Sequence, residues 1–375
     1  MAFGFFACSE SGNSNSDTPA NILEEFSFSM DTIQIDSGDE LINLANGYRT
    51  SVVTPDKKYV YFFAPQDPSL IKIDLDQAKL IERYLFESEG PNGTGNFPNN
   101  FQVLPGEKFL IGDFMQAGLF NLEGEKIQDL RITPKEIAEY DSEDDTPLTN
   151  SLFLMNRGKT HVSLYGNFFQ GDWDLSLIDL ESRSGKIVDL PAFDFLKDFK
   201  FMNLNGTTMI AYGEDIEVYP LNEKLFISTT ATSQVYQYDF ELDSLRLFEF
   251  PHQITALRKT GDINPEPSGD EEFNDQMEML RTQIAYKKML WDENTRRYYR
   301  FGDKMKPKVA DDLPRTYEVF LYAFDENLNL IGETQLEELD KAPSFPFFKD
   351  GKLWSYVNIN DELGFAIMDF ELEVN

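Results

Sequence analysis

Apolar residues along this chain come in short runs rather than long helical stripes, and one arrangement of runs returns six times. Each time, a short apolar strand ends in a turn and a second strand closes on a charge or a glycine. The recurring pieces are residues 70–75, 118–122, 175–180, 235–240, 319–324 and 365–370. Their penultimate positions fall at 74, 121, 179, 239, 323 and 369, so the spacings are 47, 58, 60, 84 and 46. Self-similarity at such a period marks a repeat architecture, in which each unit buries its faces against its neighbours.

Each piece is preceded by another strand-like run, at 59–64, 108–114, 161–166, 224–229, 297–301 and 352–358. In the first five units a further run follows, at 80–85, 126–132, 186–190, 245–250 and 330–336. Turn residues separate the runs, as in Pro105-Gly106, residues 325–327 and residues 349–351. With an innermost strand added, such as 285–290, each unit becomes a four-stranded antiparallel sheet of roughly 45 to 60 residues, the size of a propeller blade. Many runs are apolar on both faces, which suits sheets sandwiched between two neighbours better than a one-sided meander. The sixth unit stops after its third strand, while residues 25–35 (EFSFSMDTIQI) form a spare strand with no unit of its own. Pairing the two closes a ring and removes two open edges at once. The predicted fold is all-β: a single six-bladed β-propeller over residues 24–375, its last blade closed by the N-terminal strand. An open β-sandwich with a second domain is the competing reading.

The 84-residue spacing holds an insertion at about 252–284. Ser268 and Glu271 form a capping-box pattern, and Phe273, Met277, Leu280 and Ile284 recur at helical spacing. A short helix is predicted there, before blade five, with its apolar stripe packed on one propeller face.

Composition supports a large core, since 41% of residues are hydrophobic and 33 are Phe, whose rings fill the space between stacked sheets. Charge narrows the partners. With 33 basic and 66 acidic residues the formal net charge is −33, so no basic cluster exists to track a nucleic-acid backbone or anionic lipid headgroups. The acidic surface is first a solvated, self-repelling one, and second an attractor of cations or cationic partners. There is one cysteine, Cys8, and there are two histidines, His161 and His252. They rule out an internal disulfide and a Cys/His zinc centre, so no metal and no cofactor is expected.

Phe5, Phe6, Ala7 and Cys8 place a small residue before the only cysteine, after an apolar run, which resembles the lipobox of bacterial lipoproteins. Phe5 stands where leucine is usual. Residues 9–18 (SESGNSNSDT) carry no large apolar side chain, as a flexible tether would, so residues 1–23 are expected to be signal remnant and tether. A frayed terminus with an incidental cysteine is the alternative. Taken with the six repeats, the closing strand and the insertion before Arg297-Tyr298-Tyr299-Arg300-Phe301, the chain resembles the six-bladed (TolB-like) propeller lipoproteins of Bacteroides-group bacteria. The resemblance implies a propeller lipid-anchored in the bacterial envelope through Cys8, on the outer membrane or cell surface. It implies no activity.

Motifs for chemistry are weak. The glycine-rich stretch 90–100 leads into a strand and lacks the lysine and helix start of a phosphate-binding loop. Residues 325–329 (DENLN) begin like a calcium loop but lack glycine at the sixth position, so a hairpin turn is expected. Residues 141–145 (DSEDD) read as a solvated acidic loop. The favoured function is a non-enzymatic binding module for a protein or small solute. The alternative is a glycan-acting hydrolase or lyase using axial carboxylates. Connections between second and third strands, and between blades, should emerge on one face around the axial mouth. That face would gather Tyr48, Arg49, Asn92, Gly93, Phe168, Phe169, Trp173 and Arg315, with aromatic and Arg side chains as the expected anchors. Phe168 and Trp173 could equally fold back to plug the channel.

Overall fold

A strand apolar on both faces must be covered on both, and sheets standing radially around an axis do this for one another. The computed structural model of the chain describes residues 21–44, 50–64, 67–167, 171–205, 208–308 and 313–372. After β1 (Ser27–Gln34), blade 1 contains β2 (Ser51–Val53), β3 (Tyr59–Ala64), β4 (Ser69–Asp74) and β5 (Lys79–Leu85). Blade 2 contains β6 (Asn100–Leu104), β7 (Lys108–Gly112), β8 (Ala117–Phe120) and β9 (Lys126–Asp129). Blade 3 contains β10 (Phe153–Met155), β11 (Thr160–Asn167), β12 (Asp172–Asp179) and β13 (Ser184–Val188). A separate hairpin of β14 (Phe201–Asn205) and β15 (Thr208–Tyr212) precedes blade 4, which is β16 (Ile216–Leu221), β17 (Lys224–Thr229), β18 (Val235–Asp239) and β19 (Ser244–Phe248). Helix α1 (Asp270–Arg281) precedes blade 5, formed by β20 (Ala285–Asp292), β21 (Arg297–Met305), β22 (Tyr317–Phe324) and β23 (Leu330–Leu336). Blade 6 is β24 (Ser344–Lys349), β25 (Lys352–Ile359) and β26 (Glu362–Glu371), completed by β1.

Alternation along single strands explains the doubly apolar runs. In β3, Phe62 packs with Phe347, Trp354 and Phe365 of blade 6, while Tyr61 and Phe63 pack with Phe109, Ile111 and Phe120 of blade 2. Equivalent cores fill the other blade interfaces. Ring closure is made by β1, which pairs antiparallel with β26 from Ser27–Glu371 to Gln34–Gly364. Leu23, placed in the tether by sequence, is already buried between blades 5 and 6.

The repeat signature itself has a local cause. Asp74, Asp179 and Asp239 end third strands, and each carboxylate accepts two backbone N–H groups of the turn that follows. This is the aspartate turn that competes with continued strand. Residues 325–329 form another such turn: Asp325 accepts the N–H groups of Asn327 and Asn329.

Two expectations need correction. The helix starts at Asp270 with Gly269 at its N-cap, so Ser268 lies one residue too early for a capping box with Glu271. Its backbone N–H and hydroxyl donate to Glu272 instead, both at 2.7 Å. The apolar stripe does pack inward: Phe273 and Leu280 are buried, but Ile284 lies beyond the helix, in the core between blades 4 and 5. The β14–β15 hairpin was not foreseen, because its residues run into the adjoining blade without a turn signal of their own.

Candidate functional site

Strand order fixes two faces. Turns joining first to second and third to fourth strands lie on one face; connections joining second to third strands and blade to blade lie on the other, called the top. Top connections are long: residues 86–99, 130–152, 189–215 and 249–284 carry the hairpin, α1 and short 3₁₀ turns. Large apolar side chains exposed on top segments include Leu41, Phe97, Phe114, Met115, Leu204 and Met209.

Beneath this face runs an axial cavity of about 1090 Å³, lined by the innermost strands of all six blades. Phe101, Phe153, Tyr219, Trp291, Phe345 and Phe347 give it aromatic walls, and Asp215, Glu217, Glu223, Glu293, Lys57 and Lys288 its charges. Polar groups from blade 2 are already committed to blade 3. Asn100 bridges the Thr149 carbonyl and the Leu152 N–H, and Gln102 does the same with Leu154. They hold the wall together rather than face a ligand.

Innermost strands have one free edge, so their register decides what points inward. β20 and β24 each carry one extra residue, between Tyr286 and Met289 and between Ser344 and Phe347. Such bulges re-aim a side chain. Lys288, within the first, lies 3.4 Å from Glu217 on blade 4. Phe345, within the second, has φ 48°, although it is neither glycine nor asparagine and precedes Pro346. Among the described residues it is the only non-glycine residue with positive φ inside a strand. Left-handed backbone costs an L-residue about 1–2 kcal/mol, and a following proline disfavours it further.

Blades 4 and 5 are joined by buried charge. Lys259 and Glu214 side chains are each 2% exposed, with Lys259 Nζ donating to both carboxylate oxygens at 2.8 and 2.9 Å. Tyr212 and Thr230 hydroxyls donate to the same carboxylate. Burial pushes the Lys259 amine down and Glu214 opposes it; the bidentate geometry is that of a charged pair. Arg300, fully buried, donates to the carbonyls of Lys287, Ser233 and Thr229 and lies over the Tyr286 ring. Next to the pair, Asp215 opens to the channel. No hydrogen bond or ion pair holds its carboxylate among the described residues. Loss of bulk solvent, then Glu217 and Glu214, hold it above the usual carboxylate range.

Of the residues expected at the face, Tyr48, Arg49, Phe168 and Phe169 lie outside the described residues, as does Cys8, the expected lipidation site. Asn92 and Gly93 sit in the connection from blade 1 to blade 2, where Asn92 accepts the Lys126 N–H and a Cβ on Gly93 would fall 2.8 Å from the Ser88 carbonyl. Their visible role is local. Trp173 is half-buried against the core between blades 3 and 4. Arg315 is paired with Glu278 of α1 at 2.7 and 2.9 Å, fastening the helix to blade 5. The axial charges and Phe345 were missed. Only the -Ser-Phe-Pro-Phe-Phe- run, odd in a strand, marked Phe345 in the sequence. Among the described residues, no group of acids, histidines or cysteines forms a metal centre, and no helix is long and apolar enough to cross a membrane.

The profile of a family described as a domain of unknown function (DUF4221) matches residues 24–335. No curated protein matches the sequence. A crystal structure of a DUF4221 member from Bacteroides vulgatus is similar, with a TM-score of 0.68 at 15% identity over 93% of this chain and 99% of that one. A Bacteroides fragilis protein named as a candidate for export is similar at a TM-score of 0.54 and 10% identity, covering 96% of this chain and 98% of its own. At these identities the likeness is one of fold.

Proposed function

This chain belongs to the DUF4221 family, and from that premise we propose that it is an envelope lipoprotein whose propeller binds a small solute at the top mouth of its axial cavity. The observation that carries the reading is the coincidence of the two features on one axis. A cavity of about 1090 Å³ runs along the axis from Asn99, Ser151 and Asp215 at the top to Lys57, Glu223 and Glu293 in the opposite turns, and its top end lies beneath the face that holds the long connections and most exposed apolar side chains. Concave sites with mixed aromatic and polar walls are where small ligands bind. Crystals soaked with a general fragment set are expected to show ligands clustered in the axial cavity. For a fragment bound in the cavity, Trp291→Ala should weaken binding by about 1 kcal/mol. Ligands found only on the opposite face would overturn the site.

Anchoring through Cys8 rests on the lipobox resemblance, the tether-like residues 9–18 and the export-related name of the Bacteroides fragilis relative. In a full-length precursor expressed in a Bacteroides host, Cys8→Ser is expected to move the protein from the membrane to the soluble fraction, because acyl chains alone would hold it there. A wild-type protein that already fractionates as soluble would refute the anchor.

A further inference from the structure

Resting on the axial-binding reading, we propose that the cavity selects organic cations: a primary or quaternary ammonium carried on an apolar body. Charge comes first. Four carboxylates and two lysines line the cavity, a balance of 2 − 4 = −2. The lysines do not offset the whole. Lys288 is matched by Glu217 at 3.4 Å, and the charge of Glu293 acts on Lys57. The basic groups nearest Asp215 are also engaged: Lys259 with Glu214, and Lys287 with Asp303 at 2.8 Å. Asp215 is left as an unmatched anion facing the channel, inside a chain of net charge −33. A cleft with one sign of charge and low-dielectric walls concentrates ions of the other sign.

Aromatic walls supply the second half. Ring faces attract cations through their quadrupoles, by roughly 0.5–1 kcal/mol at open sites and more where water is displaced. Phe345 is the ring with a conformational cost attached to it. Its left-handed backbone and the bulge around it set Phe345 in the cavity wall at the top end of β24, where it also packs against the core between blades 6 and 1 and where glycine would meet no strain. Asp215 sits at the corresponding top end of β16 on the wall of the same cavity. An ammonium meeting carboxylate and ring together, with its apolar body along Phe347 or Trp291, uses all of these features. At the top end a carboxylate or phosphate ligand would meet Asp215 and Glu217, while Lys57, which has no ion pair among the described residues, stands at the opposite end in the turn after β2.

The test uses three probes of one shape and different charge: benzylamine, benzyl alcohol and benzoate, followed by ligand-observed NMR and calorimetry on the wild type, Asp215→Asn and Phe345→Leu. Benzylamine is expected to bind most tightly. Asp215→Asn should weaken it about tenfold, and Phe345→Leu, which keeps the apolar bulk, about threefold. Benzyl alcohol should be unaffected by Asp215→Asn. Benzoate or benzyl alcohol binding in the cavity as tightly as benzylamine would overturn the cation selectivity and leave axial binding standing. Benzylamine binding that neither variant changes would overturn the selectivity too. Absence from the cavity of all three probes and of a wider fragment set would overturn both readings.

Discussion

A chain shortened to begin at residue 36 is expected to lose its cooperative melting transition and to aggregate. Residues 21–35 do three things that nothing else in the ring can replace. β1 covers the edge of β26 along eight paired positions, so its loss leaves a long unpaired edge on blade 6. Leu23 and Ile35, 0% and 2% exposed, leave the cores of two blade interfaces, and emptying a buried Leu or Ile site costs about 2–5 kcal/mol each. Phe26 and Phe28 leave a ring cluster with Phe370, and Ile22 no longer donates its N–H to the Ile331 carbonyl of blade 5. Together these approach the 5–15 kcal/mol that a whole domain has in reserve. Calorimetry with size-exclusion chromatography reads the outcome, and a melting transition unchanged from the full chain would refute the closing role of β1.

Acid is expected to destabilise the protein from about pH 6.5 downward, well before its carboxylates protonate. Both histidines are buried, and burial pushes each down to about 3, with the charges of Arg183 and Arg300 adding to the effect at His161 and His252 respectively. A base whose folded pKa is depressed leaves the unfolded chain to take up the proton first. Its contribution is therefore complete above about 6.5 and is lost as pH falls toward the folded value, at up to about 1.4 kcal/mol per pH unit. For His161 that amounts to about 2 kcal/mol by pH 5. His252 adds less, because the Glu333 carboxylate 3.2 Å from its Nδ1 favours the protonated ring. Neither ring nitrogen of His161 has a partner among the described residues, so His161→Leu removes the titration without breaking a hydrogen bond. Denaturant unfolding from pH 7.5 to 4.5 should show the variant gaining on the wild type below pH 6.5. A stability difference that does not change with pH would refute the assignment.

Much of the ring was legible because its causes are local. Aspartates at 74, 179 and 239 mark strand ends through turn hydrogen bonds to their own neighbours, so the repeat could be counted from a single sequence. The spare strand at 25–35 was equally visible, as one strand too many at one end and one too few at the other. Ser268 shows where such reading stops. Helix phase depends on where α1 docks, and docking placed Gly269 rather than Ser268 at the cap. The hairpin β14–β15 escaped for a related reason: Phe201 stacks on Tyr212 and packs on Phe273 of α1, so the base of the hairpin is covered by an element about sixty residues away while Leu204 and Met209 at its far end stay exposed.

The sequence alone determined the fold class, the number of blades and the closing strand, since period-two alternation and turn chemistry act over a few residues. The tertiary structure decided the axial cavity and the charges that stand in its wall. An axial cavity is made from the inner edges of six strands up to three hundred residues apart, and no local pattern records which side chains meet there. Bulges in β20 and β24 set Lys288 and Phe345 in the cavity wall. The pairing of Arg315 with Glu278, and of Lys259 with Glu214, determines which charges are already matched and leaves Asp215 as one that is not. In a chain with 66 acidic residues, only their distances separate the carboxylate that faces the channel unpaired from those paired with a lysine. Electrostatic matching depends on separations of a few ångströms in three dimensions, and those come into being only when the ring closes.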